Sequence, residues 1–292
     1  MSKIKSISDA VAAIRPGMQV ALGGWIFNAQ PMALVREVIR RGIRDISLVP
    51  APGSIAPDML IGAGAVTKTA CIFISFEQFG LAPNFRKAAE GGSLTISEMD
   101  GPAIAGGLRA GACDLPYGLI PDLCTDLPRV NPQTYQSVKT EPGERRMLKV
   151  PAIKPDVVLL HAQQSDDLGN VQYFGPVFFD VLMAQAARHV IVSVERIVSR
   201  DTIRQSSALT KLPSALVDAV VEAPFGAHPT TSAGFYDLDE HHIAEYVRAS
   251  SDETAFRQYM TTFIHECAGP SQYRQRIGSP EFMQGVRDGG VA

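Results

Sequence analysis

The chain has 292 residues and a mass of 31.4 kDa, long enough to bury roughly three quarters of its extended surface without a disulfide or metal staple. Lys+Arg (27) and Asp+Glu (30) make only 20% charged residues beside 46% hydrophobic ones; an average soluble protein has about 25% charged, so a large core or a sizeable subunit interface is expected. A net charge of −3 and a pI near 6.1 exclude the basic stripe of a nucleic-acid binder, no apolar run reaches the ~20 residues of a membrane span, and the polar start MSKIKSISDA lacks a signal-peptide core. A soluble, cytoplasmic protein is the expectation.

In chain order, Ser6 or Ser8 caps a first helix running through Ile14, Gln19 to Leu22 form a short strand, and Pro31 opens a helix at its N1 position. That helix carries Leu34, Val35, Val38 and Ile39 on one face. Strands follow at Ile46 to Val49, Ala70 to Ile74 and Leu94 to Ile96, with helices at Asn84 to Glu90 and Ala103 to Ala112. Leu127 to Lys149, mixed and broken by Pro and Gly, is the one discontinuity. Strands resume at Val157 to Leu160, His189 to Val194 and Ala219 to Val221, with a helix at Val181 to Ala187.

Continuous apolar strands alternating with helices define an α/β protein with an open, mostly parallel sheet covered by helices on both faces. After Glu240 the pattern is helical only. Ser250 and Glu253 form a capping box, and Phe256, Tyr259, Met260, Phe263, Ile264 and Cys267 make a packing stripe. Residues 1–245 are therefore expected to form the α/β domain and 246–292 a helical extension packed on it. The four cysteines have no CxxC spacing, so neither a zinc site nor a disulfide framework is signalled; Cys71 and Cys267 read as core residues.

Nucleotide loops and the hydrolase elbow are absent: there is no GxxxxGK[ST] and no GxSxG. Gly62-Ala63-Gly64-Ala65-Val66-Thr67 is half of a dinucleotide fingerprint and precedes a strand, so it does not support NAD binding. The informative segment is Leu22-Gly23-Gly24-Trp25-Ile26-Phe27-Asn28-Ala29-Gln30-Pro31. A strand ends there in two glycines and a helix follows, which places a tight loop at the carboxyl end of a strand, where open α/β sheets bind ligands.

This segment resembles the first-subunit signature of the family I coenzyme A transferases, keeping the apolar run, Gly23, Gly24 and Pro31, and departing at Trp25 for Phe, Ala29 for Gly, and Pro16 for Asp or Asn. The resemblance continues through Glu77-Gln78-Phe79-Gly80-Leu81-Ala82-Pro83-Asn84-Phe85-Arg86, Leu108-Arg109-Ala110-Gly111-Ala112, Asp166-Asp167-Leu168-Gly169-Asn170 and Glu222-Ala223-Pro224-Phe225-Gly226-Ala227-His228-Pro229. These segments are similar to α subunits of the glutaconate CoA-transferase type and, more distantly, to α subunits of steroid-ring CoA hydrolases.

The resemblance implies a two-chain enzyme that moves CoA between an acyl-CoA and a carboxylic acid through a glutamyl-CoA thioester. In the family the glutamate sits in a Ser-Glu-Asn-Gly motif on the second subunit. Here Ser97-Glu98-Met99-Asp100 shares only its first two residues, so a β partner, in an αβ or α2β2 assembly, is implied. The coenzyme is then a substrate thioester, with no permanently bound cofactor and no metal.

By the same resemblance Gly23, Gly24, Trp25, Phe27 and Asn28 shape the acyl pocket. Glu98 and Glu77 are the weak catalytic candidates, each with a structural or capping role as the rival reading. Glu195 and Arg196 read as a structural pair, His161 as a core or edge histidine at the ligand side of the sheet, and His228 as a loop-fixing residue. Asp237, Asp239, His241 and His242 can be drawn as a metal cluster, but Asp239 also reads as a helix N-cap. Two rival functions stay open. One is the α chain of a CoA-thioester ring hydrolase, against which Gly101 stands where such relatives place a glutamate. The other is a non-catalytic or sugar-phosphate-binding module.

Overall fold

A computed structural model describes residues 2–278 apart from 123 and 142–144. Helix α1 (Ile7–Val11) is capped by Ser6, whose side chain accepts from Asp9 N–H. There follow β1 (Gln19–Leu22), α2 (Met32–Arg40), β2 (Ile46–Pro50), α3 (Ile55–Gly62), β3 (Val66–Cys71), α4 (Pro83–Glu90), β4 (Thr95–Glu98) and α5 (Gly101–Ala112). A small unit comprises β5 (Tyr117–Pro121), α6 (Leu127–Val130), β6 (Gln136–Thr140) and β7 (Arg145–Pro151). The main sheet resumes with β8 (Val157–Ser165), β9 (Val171–Gln172), α7 (Asp180–Ala186), β10 (Val190–Ile197), α8 (Arg200–Gln205), β11 (Thr210–Leu212) and β12 (Ala219–Glu222). Helices α9 (Glu240–Ser250), α10 (Glu253–Met260) and α11 (Pro270–Ile277) close the described chain, with a π turn at Thr261–His265 between the last two.

Seven strands of the main sheet run parallel in the order β4-β3-β2-β1-β8-β10-β12. The chain winds outward from β1 to β4 in one direction and from β8 to β12 in the other. The junction of β1 and β8 is thus the topological switch point, where a crevice opens beyond the strand ends. β10 occupies one edge of β8 as far as Ser165, while β1 occupies the other edge only at Val157 to Leu159. The vacated stretch of that edge, Gln164 and Ser165, pairs with antiparallel β9. β9 therefore overhangs the end of β1, and the turn after Leu22 lies under it.

Alternate residues of each central strand feed two cores. Val20, Leu48, Val157 and Leu159 pack with α1, α2, α3, α9 and the closing helices. Ala21, Val49, Val158 and Leu160 pack with α5, α7 and the small sheet. Both faces are apolar because both are covered.

Four local expectations differ. The third strand is Val66–Cys71, four residues earlier than the apolar run, because its polar middle, Thr67 and Lys68, is exposed. Leu127 to Lys149 is no linker: it supplies β6 and most of β7, which pair with β5 in an antiparallel sheet of order β5-β7-β6. Pro31 precedes the first helical residue, and its carbonyl accepts Val35 N–H at 3.0 Å. The cap of α10 is Asp252, accepting from Ala255 N–H at 2.8 Å, while Ser250 ends α9. Of the C-terminal extension, residues 279–292 lie outside the described residues. Among the described residues no helix is long and apolar enough to cross a membrane.

Candidate active-site turn at the switch point

β1 gains one further ladder bond past its end, Gly23 N–H to Leu159 C=O at 3.0 Å. The chain then turns at Gly24 with φ of +82°. A Cβ on Gly24 would stand 2.7 Å from the carbonyl oxygens of Asn28 and Ala29, so only glycine fits. Trp25 and Asn28 exchange backbone bonds of 2.8 and 2.7 Å, which closes the tip. Ile26 and Ala29 hold φ of +49° and +50°, a left-handed conformation that costs a β-branched residue about 1–3 kcal/mol. Ile26 is held there by three bonds: its N–H donates to Pro52 C=O, and its carbonyl accepts from Gln30 Nε2 and Ser54 Oγ, both at 2.6 Å.

The turn is also tied to the chain's later loop. Ala29 N–H donates to Thr231 C=O at 2.8 Å and Thr231 N–H to Phe27 C=O at 2.7 Å. That later loop is locked onto the sheet by a buried network. His161 on β8 lies between Ser193 Oγ (3.0 Å) and Glu195 Oε1 (2.8 Å) on β10, and Glu195 also accepts from Phe225 N–H and Tyr236 Oη. The Ser-His-Glu grouping has the composition of a nucleophilic triad. It is sealed, however: His161 and Ser193 are fully buried and Tyr236 and Phe225 fill the remaining acceptor positions of Glu195. His161 is thus a core histidine. Glu195 does not pair with Arg196, which bonds Gln164 Oε1 at 2.9 Å instead, because Glu195 points inward and its neighbour on the strand points to the other face.

The five residues expected to shape a pocket are together but not equivalent. Trp25 stacks on Phe178 with centroids 5.5 Å apart, and both rings remain 43% exposed, forming an apolar lip. Phe27 turns inward against Phe76 and Phe79. The Asn28 amide donates to Pro176 C=O at 3.3 Å, so it ties two loops together. With the N–H groups of residues 23 to 26 also engaged within the chain, this turn contributes shape and an apolar surface.

One residue of the turn escaped the sequence. Asp180, first residue of α7 and 2% exposed, accepts Gly24 N–H on Oδ1 at 3.2 Å. Burial pushes its carboxyl up to about 6, against the amides of Gly24, Asp180 and Phe178, which favour the charged form. The signal available was the spacing Phe178-Phe179-Asp180 before a helix, which carries no motif.

The carboxylate candidates separate. Glu98 ends the edge strand β4, exposed, and caps nothing; Asp100 caps α5 by accepting Ala103 N–H at 2.8 Å. Glu77 is exposed at φ of +49° and also makes no cap; its neighbours Phe76 and Phe79 both contact Phe27. The backbone of Glu77 is thus held near the turn through these aromatic contacts.

Of the histidine and carboxylate cluster, Asp239 and His242 come together with His228, their ligand atoms within 4.8 Å, whereas Asp237 and His241 are exposed. Four of the cluster's side-chain bonds go to other groups of the chain or within the cluster. His228 bonds Asp239 Oδ2 (3.0 Å) and Tyr273 Oη (2.8 Å), His242 bonds Tyr259 Oη (2.7 Å), and Asp239 caps α9. Arg36, buried over the Tyr273 ring at 3.5 Å, opposes a further cation. Burial holds His242 down at about 3. The group fastens α11 to the loop carrying His228, so His228 does fix that loop.

An open parallel sheet with a strained glycine turn at its switch point defines a ligand-binding α/β protein. The sequence matches the coenzyme A transferase family over residues 4–223, and the chain belongs to that family. It is 30% identical to the α subunit of glutaconate CoA-transferase of Acidaminococcus fermentans, with 97% of this chain and 94% of that one covered. It is 34% identical to the cholesterol ring-cleaving hydrolase IpdA subunit of Rhodococcus jostii, over 89% of this chain and 90% of that one. The crystal structure of glutaconate CoA-transferase from Acidaminococcus fermentans superposes with a TM-score of 0.89 at 29% identity, covering 95% of this chain and 93% of that one.

Proposed function

We propose that the chain is the α subunit of a heteromeric CoA-transferase, moving CoA between an acyl-CoA and a carboxylic acid through a glutamyl-CoA thioester on a β subunit. The observation that carries the reading is the Gly23-Gly24 turn, over-determined by hydrogen bonds at the switch point of a transferase-family sheet and fronted by the exposed Trp25–Phe178 lip. A strained segment held by so many partners is what a binding site requires. Ser-Glu-Asn-Gly occurs nowhere in the 292 residues, so the nucleophile is the partner's.

In this reading the two chains divide the chemistry. The β glutamate attacks the acyl thioester, forming a mixed anhydride and expelling CoA thiolate; the thiolate attacks the glutamyl carbonyl, giving glutamyl-CoA and releasing the first acid. The second carboxylate then attacks glutamyl-CoA and expels thiolate, which takes the new acyl group from the second anhydride and frees the glutamate. The α chain supplies the wall that holds the acyl group, with its carbon skeleton against Trp25 and Phe178. Of the two carboxylate candidates, Glu77, in the loop packed beside the turn, is the one assigned a part; Glu98, at the end of the outer strand, is assigned none. The transferase unit ends where α9 begins, and the described helices α9 to α11 are the extension packed on it. The low charge of the chain is accounted for by the β interface.

Hydrolytic ring cleavage of a CoA-thioester substrate is the second reading, favoured by the 34% identity to the Rhodococcus jostii ring-cleaving hydrolase subunit. Gly101, where the hydrolase-type glutamate would stand, argues against it. Co-purification with the co-encoded β chain, followed by an exchange assay with a panel of acyl-CoAs and acids, tests the assignment. Thioester exchange only in the complex supports it; hydrolytic opening of a CoA-linked cyclic diketone, with the thioester kept and no exchange, transfers the support to the hydrolase.

A further inference from the structure

We infer that Asp180 is a positioning residue that sets the Gly23-Gly24 turn and the seat of Trp25. The inference rests on the proposed function only for its catalytic consequence; the structural coupling stands on geometry.

The carboxylate and the turn are fitted to one another. Asp180 Oδ1 accepts Gly24 N–H at 3.2 Å, and a Cβ on Gly23 would stand 2.8 Å from the same oxygen. Gly23 is small because Leu160 Cδ2, closer still to the same Cβ position, and the Asp180 carboxylate both lie against it. Two residues before Asp180, Phe178 stacks on Trp25. The segments 23–25 and 178–180 are thus clamped twice, by a polar contact underneath and an aromatic contact at the surface. A carboxylate serving only α7 would not need the first of these: Phe179, not Asp180, occupies the cap position of that helix.

Burying this acid without a bonded cation costs free energy, which has to be offset by what it holds in place. Tyr173 lies beside it, buried, its hydroxyl without a hydrogen-bond partner among the described residues, and its phenol is pushed well above the ordinary range by burial and then by the Asp180 charge. The other titratable or charged groups on elements packed against α7 are His161 of β8, Arg109 in the last turn of α5 and Lys211 of β11. Of these His161 acts on the carboxylate, favouring its charged form.

Trp25 is the only tryptophan in the chain, so its emission reads the turn directly. In the full chain, emission is expected to follow a single ionisation with a midpoint near pH 6, the value to which burial pushes Asp180. Asp180→Asn, close in shape, should abolish that titration. The replaced group cannot accept from Gly24, Phe178 and its own N–H together, so the emission maximum should also shift at pH 8. In the complex with the β chain, the same variant should lower kcat/KM about tenfold, mainly through KM for the acyl-CoA.

A titration that persists in Asp180→Asn assigns it to another group and overturns the inference. Should that variant fail to fold, Asp180→Glu decides: the longer carboxylate cannot keep its oxygen on Gly24 N–H, so the emission maximum should shift, and an emission and titration unchanged from wild type overturn the inference. A wild-type complex without exchange activity would count against the proposed function, while leaving these fluorescence results to judge Asp180 alone.

Discussion

The phenol of Tyr246 and the carboxylate of Asp58 meet at 2.8 Å across 188 residues of sequence, joining α9 to α3. The same carboxylate accepts Asn84 Nδ2 at 3.0 Å and Phe85 N–H at 2.8 Å, so one acid ties together three helices. Burial pushes it up to about 6, with the three donors pulling the other way. Asp58→Ala leaves these donors without an acceptor in a buried site, and a loss of about 3–5 kcal/mol is expected in denaturant unfolding.

The pH dependence of that stability has a definite sign. The folded-state value of about 6 lies above the ordinary 3.8, for Asp58 and Asp180 alike. Between those values the folded chain keeps a proton that the unfolded chain has lost, so the contribution of these groups to unfolding free energy falls as pH rises from about 4 to about 6 and is constant above. Asp58→Asn should remove part of that slope, measured by urea melts at half-unit pH intervals.

Gly24→Ala should be the most damaging small change at the turn. The new methyl would stand 2.7 Å from two backbone oxygens at a φ of +82°, and a loss of about 1–3 kcal/mol is expected. Exchange by the complex should fall at least about a hundredfold through displacement of the lip. Thermal melts and steady-state kinetics on one preparation separate the two effects.

The lip itself carries binding and little stability. Trp25→Ala and Phe178→Ala, both at rings 43% exposed, should each raise KM for the acyl-CoA with a change in stability below about 1 kcal/mol. A double-mutant cycle on stability should give a coupling of about 0.5–1.5 kcal/mol for the stacked pair.

Glu77 and Glu98 should separate in activity. Glu98→Gln is expected to leave exchange within about twofold of wild type, as befits an exposed side chain on the edge strand. Glu77→Gln, in the loop packed beside Phe27, should lower kcat/KM about tenfold while the glutamyl-CoA adduct still forms. Equal losses in both variants would remove the distinction drawn from their placement.

What the sequence carried was local punctuation. Gln19 to Leu22 and the two glycines after it stand as read, because a strand end and a tight turn are encoded by neighbours. Helix α3 gave no periodic stripe, since Ile55 to Ile61 are buried on every side. Strands β6 and β7 hid in a polar, Pro-broken stretch because only pairing makes them strands: β7 lies between upstream β5 and β6, and β6 pairs with β7. Asp180 was invisible for a different reason: a single acid after two phenylalanines acquires meaning only when α7 brings it under Gly24, 156 residues away. Sequence marked where the turn is; tertiary contacts show what holds it.

The proposed reaction puts the covalent intermediate of a two-chain CoA-transferase on the partner of this chain. It is tested most directly by incubating the co-purified complex with acyl-CoA, reducing with borohydride and locating the modified residue by mass spectrometry. A reduced glutamate on the β chain, formed with at least one acyl-CoA of a broad panel and never on this chain alone, is the predicted result. A complex that turns over acyl-CoA yet yields no adduct on β, or an adduct on a carboxylate of this chain, would contradict the account.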